Sequence, residues 1–160
     1  MKTADEDKSS ERETGFGLVC RQSIHIVPED KPSNDSSNIV VATAIVFNLA
    51  LAQQLAGIEG CSHSRLRKAV KLYEYALYLA QPYGLASECI LFRLSITNNL
   101  GHLHKELNQE AKSEKCFKQL LTMLVYLMDC SEEYAPNYGA FFCNVSHLLF
   151  PSCPVAAPAA

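Results

Sequence analysis

Two asparagines and two histidines lie close together in residues 96–121, and their side chains are the first candidates for chemistry: Asn98, Asn99, His102 and His104. An asparagine side chain carries both a donor and an acceptor, so it can hold a peptide main chain without reading its sequence. Asparagine is also a poor residue for a helix interior, because its side chain competes for nearby backbone groups. The doubled asparagine therefore indicates either hydrogen bonding to a binding partner or a role in fixing helix packing.

The histidines and cysteines do not form a convincing metal site. Residues two apart on a helix are separated by about 200°, so His102 and His104 should point to opposite sides and cannot share an ion with Cys116 or Cys89. The seven cysteines contain no CxxC pair and no closely spaced even framework. Cysteines within apolar helical patterns act as small hydrophobes. We predict no metal and a reducing, cytoplasmic setting, with the nucleus left open.

Other classes of function are disfavoured by what the chain lacks. There is no Ser-His-Asp order, no pair of carboxylates at a pocket and no Gly-rich phosphate loop, so we predict neither catalysis nor a cofactor. A net charge of -3 gives no electrostatic footprint for nucleic acid. The longest apolar run, residues 39–55, contains polar residues and falls short of the roughly 20 residues of a membrane span. It predicts a helix buried among other helices.

Apolar residues at three- and four-residue spacing predict an all-α fold. The expected helices cover 38–56, 64–80, 87–107, 109–129 and 137–149. Short connections make neighbouring helices antiparallel, so the first four form two hairpins, 38–81 and 87–129, within a domain of residues 38–150.

The two ends of the chain are expected to lie outside this helical domain. Residues 1–37 begin with a polar, charged stretch and are predicted to be disordered or extended. An alternating pattern around Ser23 and Ile24 is a weak extended signal, and with no second strand to pair it should lie along the helices. Residues 151–160 contain three prolines and are predicted to be disordered.

A sequence pattern occurs twice in the predicted helices. In the first and third helices an asparagine precedes a leucine and a small residue, as Asn48-Leu49-Ala50 and Asn99-Leu100-Gly101, 51 residues apart. In the second and fourth helices a small residue, an aromatic residue and an apolar residue share one face, as Ala69, Tyr73, Ala76 and Ser113, Phe117, Leu120.

These patterns resemble the tetratricopeptide repeat (TPR), and the doubled asparagine resembles the long-repeat type of kinesin light chains. The resemblance implies antiparallel helical hairpins stacked as a short TPR-like α-solenoid, with 137–149 as a C-terminal capping helix. Two repeats are fewer than the three that usually make a stable stack. Gln53 and His104 stand where the family has tyrosine, and Leu120 stands where it has alanine.

The resemblance also implies a concave groove, lined by the first helix of each hairpin, that holds a peptide or protein partner. The positions carried over to that groove are Asn48, Leu51, Gln54, Asn98, Asn99, His102 and Lys105. We therefore predict a non-enzymatic protein-interaction module. The alternative is a structural helical bundle that associates with itself and has no dedicated groove, in which the asparagines only fix the packing of the hairpins.

Overall fold

The computed structural model describes residues 23–24, 35–81, 87–130 and 138–149. It contains five helices: α1 Asp35–Glu59, α2 His63–Ala80, α3 Ser87–Glu106, α4 Glu110–Cys130 and α5 Gly139–Leu149. No strand occurs among the described residues, so the predicted all-α class is confirmed. The predictions for residues 1–22, 25–34 and 150–160 lie outside the described parts of the chain.

The predicted helix boundaries hold to within three residues, and the largest differences are at the two ends of α1. The loop predicted over residues 57–64 is reduced to residues 60–62, because α1 continues to Glu59. The main-chain N–H of Cys61 donates to Ile58 and that of Ser62 to Gly57, while Cys61 has a left-handed φ of 46°. This hydrogen-bond pattern is a Schellman motif, which satisfies the last carbonyls of a helix and reverses the chain.

The second hairpin reverses in the same way. Asn108 has a φ of 55°, its N–H donates to Lys105, and the N–H of Gln109 donates to His104. Asparagine tolerates the left-handed region better than most residues, so the turn suits its sequence. Both hairpins therefore close on one left-handed residue, and a single further residue, Ser62 or Gln109, precedes the next helix.

Packing follows the order of the helices along the chain. Helix α1 packs on α2 and α3 packs on α4, while α2 also packs on α3 and α5 packs on both α4 and α3. One core cluster joins α1, α2 and α3 around the rings of Phe47, Tyr73 and Phe92, with Phe47 edge-on to both of the others. A second cluster joins α3, α4 and α5 around Leu94, Leu120 and Leu124.

One face of α1 is exposed, so the prediction of a helix buried among other helices is wrong for that face. Ile45 is 62% exposed and Leu49 is 50% exposed. Residues 38–59 are the one segment of the described chain that is long and apolar enough, by length and composition, to cross a membrane. The other face of α1 is buried, because it contributes Phe47, Ala50 and Leu51 to the first core cluster.

Candidate functional site

Asn48 holds a piece of main chain from outside the helices. The N–H of Ile24 donates to Oδ1 of Asn48 at 2.9 Å, and Nδ2 of Asn48 donates to the carbonyl of Ile24 at 2.9 Å. One residue presents its N–H and C=O to the same side when the chain is extended, as in an antiparallel ladder. The Ile24 side chain packs against the first core cluster. Asn48 therefore clamps both main-chain groups of Ile24 beside an apolar contact.

A chain of buried hydrogen bonds connects four helices. Asn144 on α5 donates to Asn98 at 2.7 Å, Asn98 donates to Asn99 at 3.2 Å, and both asparagines lie on α3. Asn99 donates to the Tyr73 hydroxyl on α2 at 3.0 Å, and this hydroxyl donates to Gln54 on α1 at 2.9 Å. All five side chains are buried. Because every bond runs in the same direction, each polarises the next, and the chain fixes the relative positions of these helices.

Four of the seven predicted groove residues are therefore inaccessible to a partner. Gln54, Asn98 and Asn99 belong to the buried chain of hydrogen bonds, and Leu51 is 4% exposed within the first core cluster. The alignment assigned them to the correct helices. It placed them on the wrong side, because the packing of α2, α3 and α5 determines which face of each helix is covered.

The remaining predicted residues lie at two separate places. Asn48 is half-buried on α1 and holds Ile24. His102 and Lys105 line a cleft of about 430 Å³. Residues of α3, α4 and α5 form its walls: His102, Lys105, Glu110, Ser113, Glu114, Phe117, Asn144, His147 and Leu148. The structure thus brings His102 and Lys105 together, but it does not bring Asn48 to the same site.

The imidazole of His102 is neutral at pH 7. Burial, and then the charge of Lys105, lower the pKa of His102 to about 4. Its ring packs edge-on against Phe117, with centroids 5.2 Å apart, and Phe117 also packs edge-on with the ring of His147, at 5.6 Å. Nε2 of His102 is buried and has no hydrogen-bond partner among the described residues. The cleft therefore combines aromatic and neutral polar groups with the charged side chains of Lys105, Glu110 and Glu114.

The predicted separation of the two histidines is confirmed. His104 is buried, and its Nδ1 lies 2.9 Å from Oε1 of Gln109, whereas His102 lines the cleft. Burial raises the pKa of the Cys116 thiol, which disfavours the thiolate form that binds metals. Within the described residues no three His, Cys, Asp or Glu side chains are grouped so that they could hold a metal ion.

The sequence also contains a third copy of the helix pattern, which the interpretation of residues 137–149 as a simple cap missed. Asn144-Val145-Ser146-His147-Leu148 repeats Asn99-Leu100-Gly101-His102-Leu103 at a distance of 45 residues. Helix α5 packs on α3 and α4 much as α3 packs on α1 and α2. Extending the alignment of the asparagines by one more copy is the signal that could have identified Asn144 as part of the buried chain.

No family model matches this chain, and no curated protein or solved structure is significantly similar to it. The resemblance to the tetratricopeptide repeat therefore rests on its own residues.

Proposed function

We propose that this chain is a non-enzymatic protein-interaction module that binds an extended segment of a protein partner along α1, with Asn48 as the main-chain clamp. The observation that carries this proposal is the pair of 2.9 Å hydrogen bonds between the Asn48 side chain and both main-chain groups of Ile24. A carboxamide that pairs with one N–H and one C=O recognises an extended backbone of almost any sequence.

The contact of the Ile24 side chain defines the class of ligand further. Because this side chain packs against the first core cluster, the clamped residue of a partner should be aliphatic. The segment around Ile24 is part of the same chain, so a partner must compete with it for Asn48. The ligand is thus an extended peptide with an aliphatic residue at the clamped position.

We further propose that the helices form a short TPR-like α-solenoid, in which α5 is the first helix of a third unit and caps the second hairpin. The order of packing along the chain supports this arrangement. So do the three copies of the pattern that begin at Asn48, Asn99 and Asn144. A third copy of the first helix would extend the stack towards the three units that such folds usually need.

A peptide-binding experiment tests the clamp. A fluorescent peptide with the sequence of residues 21–27 is titrated, by polarisation, into the full-length chain carrying Ile24→Pro. Proline has no N–H, so this substitution removes the donor to Asn48 and weakens the hold on the chain's own segment. We expect the peptide to bind this variant more tightly than it binds the wild type.

Two controls isolate the two hydrogen bonds. Adding Asn48→Ala to the Ile24→Pro chain, or N-methylating the isoleucine of the peptide that corresponds to Ile24, should each weaken binding about 5- to 100-fold. Circular dichroism checks that the helices are retained. Equal binding of the methylated and unmethylated peptides would contradict the proposed clamp.

A further inference from the structure

Helix α1 presents a continuous apolar ridge to solvent, made of Val41, Ile45, Leu49 and Ala52. The first three are 38%, 62% and 50% exposed, and Ala52 is also exposed. Spacings of four, four and three residues place all four side chains on one face of the helix. A contiguous exposed apolar patch of this kind marks an interaction surface more often than scattered apolar residues do.

The same face is buried in the two later copies of the pattern. An offset of 51 residues carries the α1 ridge onto Phe92, Ile96, Leu100 and Leu103 of α3, which are at most 6% exposed within the first core cluster. A further 45 residues lead from Ile96 to Phe141 and from Leu100 to Val145, both buried in the second core cluster. This face therefore packs against helices wherever a preceding hairpin covers it, and α1 has apolar residues at the same positions without such a hairpin in the described chain.

Charge points to the occupant of the α1 ridge. Residues 36–58 contain no Asp, Glu, Lys or Arg, so two copies of α1 can meet without bringing like charges together. The rows of side chains four residues apart can interdigitate with the same rows of a second helix at a crossing angle of about -50°. A face that pairs with itself about a twofold axis gives a closed dimer.

A lipid bilayer fits this helix less well. The opposite face of α1 is packed against α2, whose exposed face carries Arg67, Lys71 and Glu74. If α1 crossed a membrane as part of this hairpin, those charges would enter the hydrocarbon region, where charged side chains are strongly disfavoured.

We propose that the α1 ridge is the contact surface of a twofold homodimer, in which α1 of one copy packs across α1 of a second copy. One helix face provides less than the about 800 Å² per partner that is typical of stable complexes, so the dimer should be reversible and depend on concentration. Asn48 lies three residues after Ile45 and four before Ala52, so the clamp is adjacent to the ridge. The two proposals are tested apart, because the dimer is measured without added peptide and its variants leave Asn48 unchanged.

Sedimentation velocity of the full-length chain over a range of concentrations tests the dimer. We expect the wild type to shift from monomer to dimer, and the double variant Ile45→Asp/Leu49→Asp to remain monomeric at every concentration. Leu91→Asp is the matched control, because Leu91 is 50% exposed, as Leu49 is, but lies on α3 outside the ridge. This control should dimerise like the wild type.

A cross-link tests the geometry directly. In an Ile45→Cys chain, oxidation of the dimer should give a disulfide between the two copies of position 45, identified by peptide mass spectrometry. A wild type that stays monomeric, a dimer that survives both aspartates, or growth beyond a dimer without saturation would each overturn the proposal. So would wild-type chain that floats with vesicles of phosphatidylcholine and phosphatidylglycerol instead of dimerising.

Discussion

Helices α1 and α3 carry the same pattern of residues in different surroundings. The apolar ridge of α1 faces solvent, whereas its counterpart in α3 is buried in the first core cluster. Asn48 holds the main chain of Ile24, whereas Asn99, at the matching position, bonds the hydroxyl of Tyr73 on the preceding helix. The preceding hairpin therefore makes the difference. Where it packs on the helix, these residue types are buried in the core, and where the described chain has none they lie at the surface.

The doubled asparagine follows from a second difference between the copies. Asn99 donates to the hydroxyl of Tyr73, and Asn144, its counterpart in α5, would by the same geometry face Phe117, which has no hydroxyl. Asn144 donates instead to Asn98 at 2.7 Å. The first copy has Phe47 at the position of Asn98, fully buried in an apolar setting. Asn98 thus supplies an acceptor for Asn144, because Phe117, unlike Tyr73, has no hydroxyl to offer.

The largest expected contrast in stability is between the α1 ridge and its buried counterpart in α3. Ile96→Ala in α3 should reduce the free energy of unfolding by about 2–5 kcal/mol, because it removes a fully buried side chain and leaves a cavity. Ile45→Ala in α1 should change it by no more than about 0.5 kcal/mol, because Ile45 is largely exposed. Urea unfolding at a low protein concentration, where a dimer would be dissociated, measures both. Equal losses would show that the two helices do not differ in this way.

The free energies of unfolding lost by substituting Asn48 and Asn99 should differ by less. Asn99→Ala leaves the Oδ1–Nδ2 positions between Asn98 and Tyr73 empty inside the protein, so we expect a loss of about 1–3 kcal/mol. Asn48→Ala removes two hydrogen bonds to a half-buried main chain that water can partly replace, so about 1 kcal/mol or less should be lost. Thermal or urea unfolding of both variants tests the order, and a larger loss from Asn48→Ala would reverse it.

The sequence predicts the helices well and the exposed faces poorly. Periodicity and turn residues locate all five helices, because these depend on residues close together along the chain. The repeated asparagines draw attention to Asn48, whose side chain bonds the main chain of Ile24, but Gln54, Asn98 and Asn99 look equally suited to a groove. Their burial depends on contacts between residues far apart in sequence, such as Asn144 with Asn98, which no local pattern encodes.

A smaller contrast concerns the position after each Asn-Leu pair, which is Ala50 in the first copy and Gly101 in the second. A Cβ at Gly101 would lie 2.8 Å from the ring of Phe117, and that ring also contacts the rings of His102 and His147. We therefore expect Gly101→Ala to lower the free energy of unfolding by about 1 kcal/mol, because the strain of overpacking exceeds the gain in helix propensity. Calorimetry that finds a higher melting temperature would show that Phe117 can move.

The last contrast is between His102 and Leu51, which occupies the same position in the first copy. Because burial and Lys105 lower the pKa of His102 to about 4, against 6.5 in the unfolded chain, the unfolded state binds one more proton between these values. The contribution of neutral His102 to the free energy of unfolding is therefore complete above about pH 7. It is lost as the pH falls from 6.5 towards 4. Solvent screening of the half-buried ring reduces this loss to the order of 1 kcal/mol.

The variant His102→Leu installs the residue of the first copy and isolates this effect. Lys105, Glu114 and His147, which line the same cleft, are unchanged in the variant. The difference in unfolding free energy between the wild type and His102→Leu, measured in urea from pH 8 to pH 4, should be constant above pH 7. It should shift in favour of the leucine variant as the pH falls, because only the histidine binds a proton on unfolding. A difference that does not vary with pH would mean that the His102 imidazole titrates alike in the folded and unfolded chains.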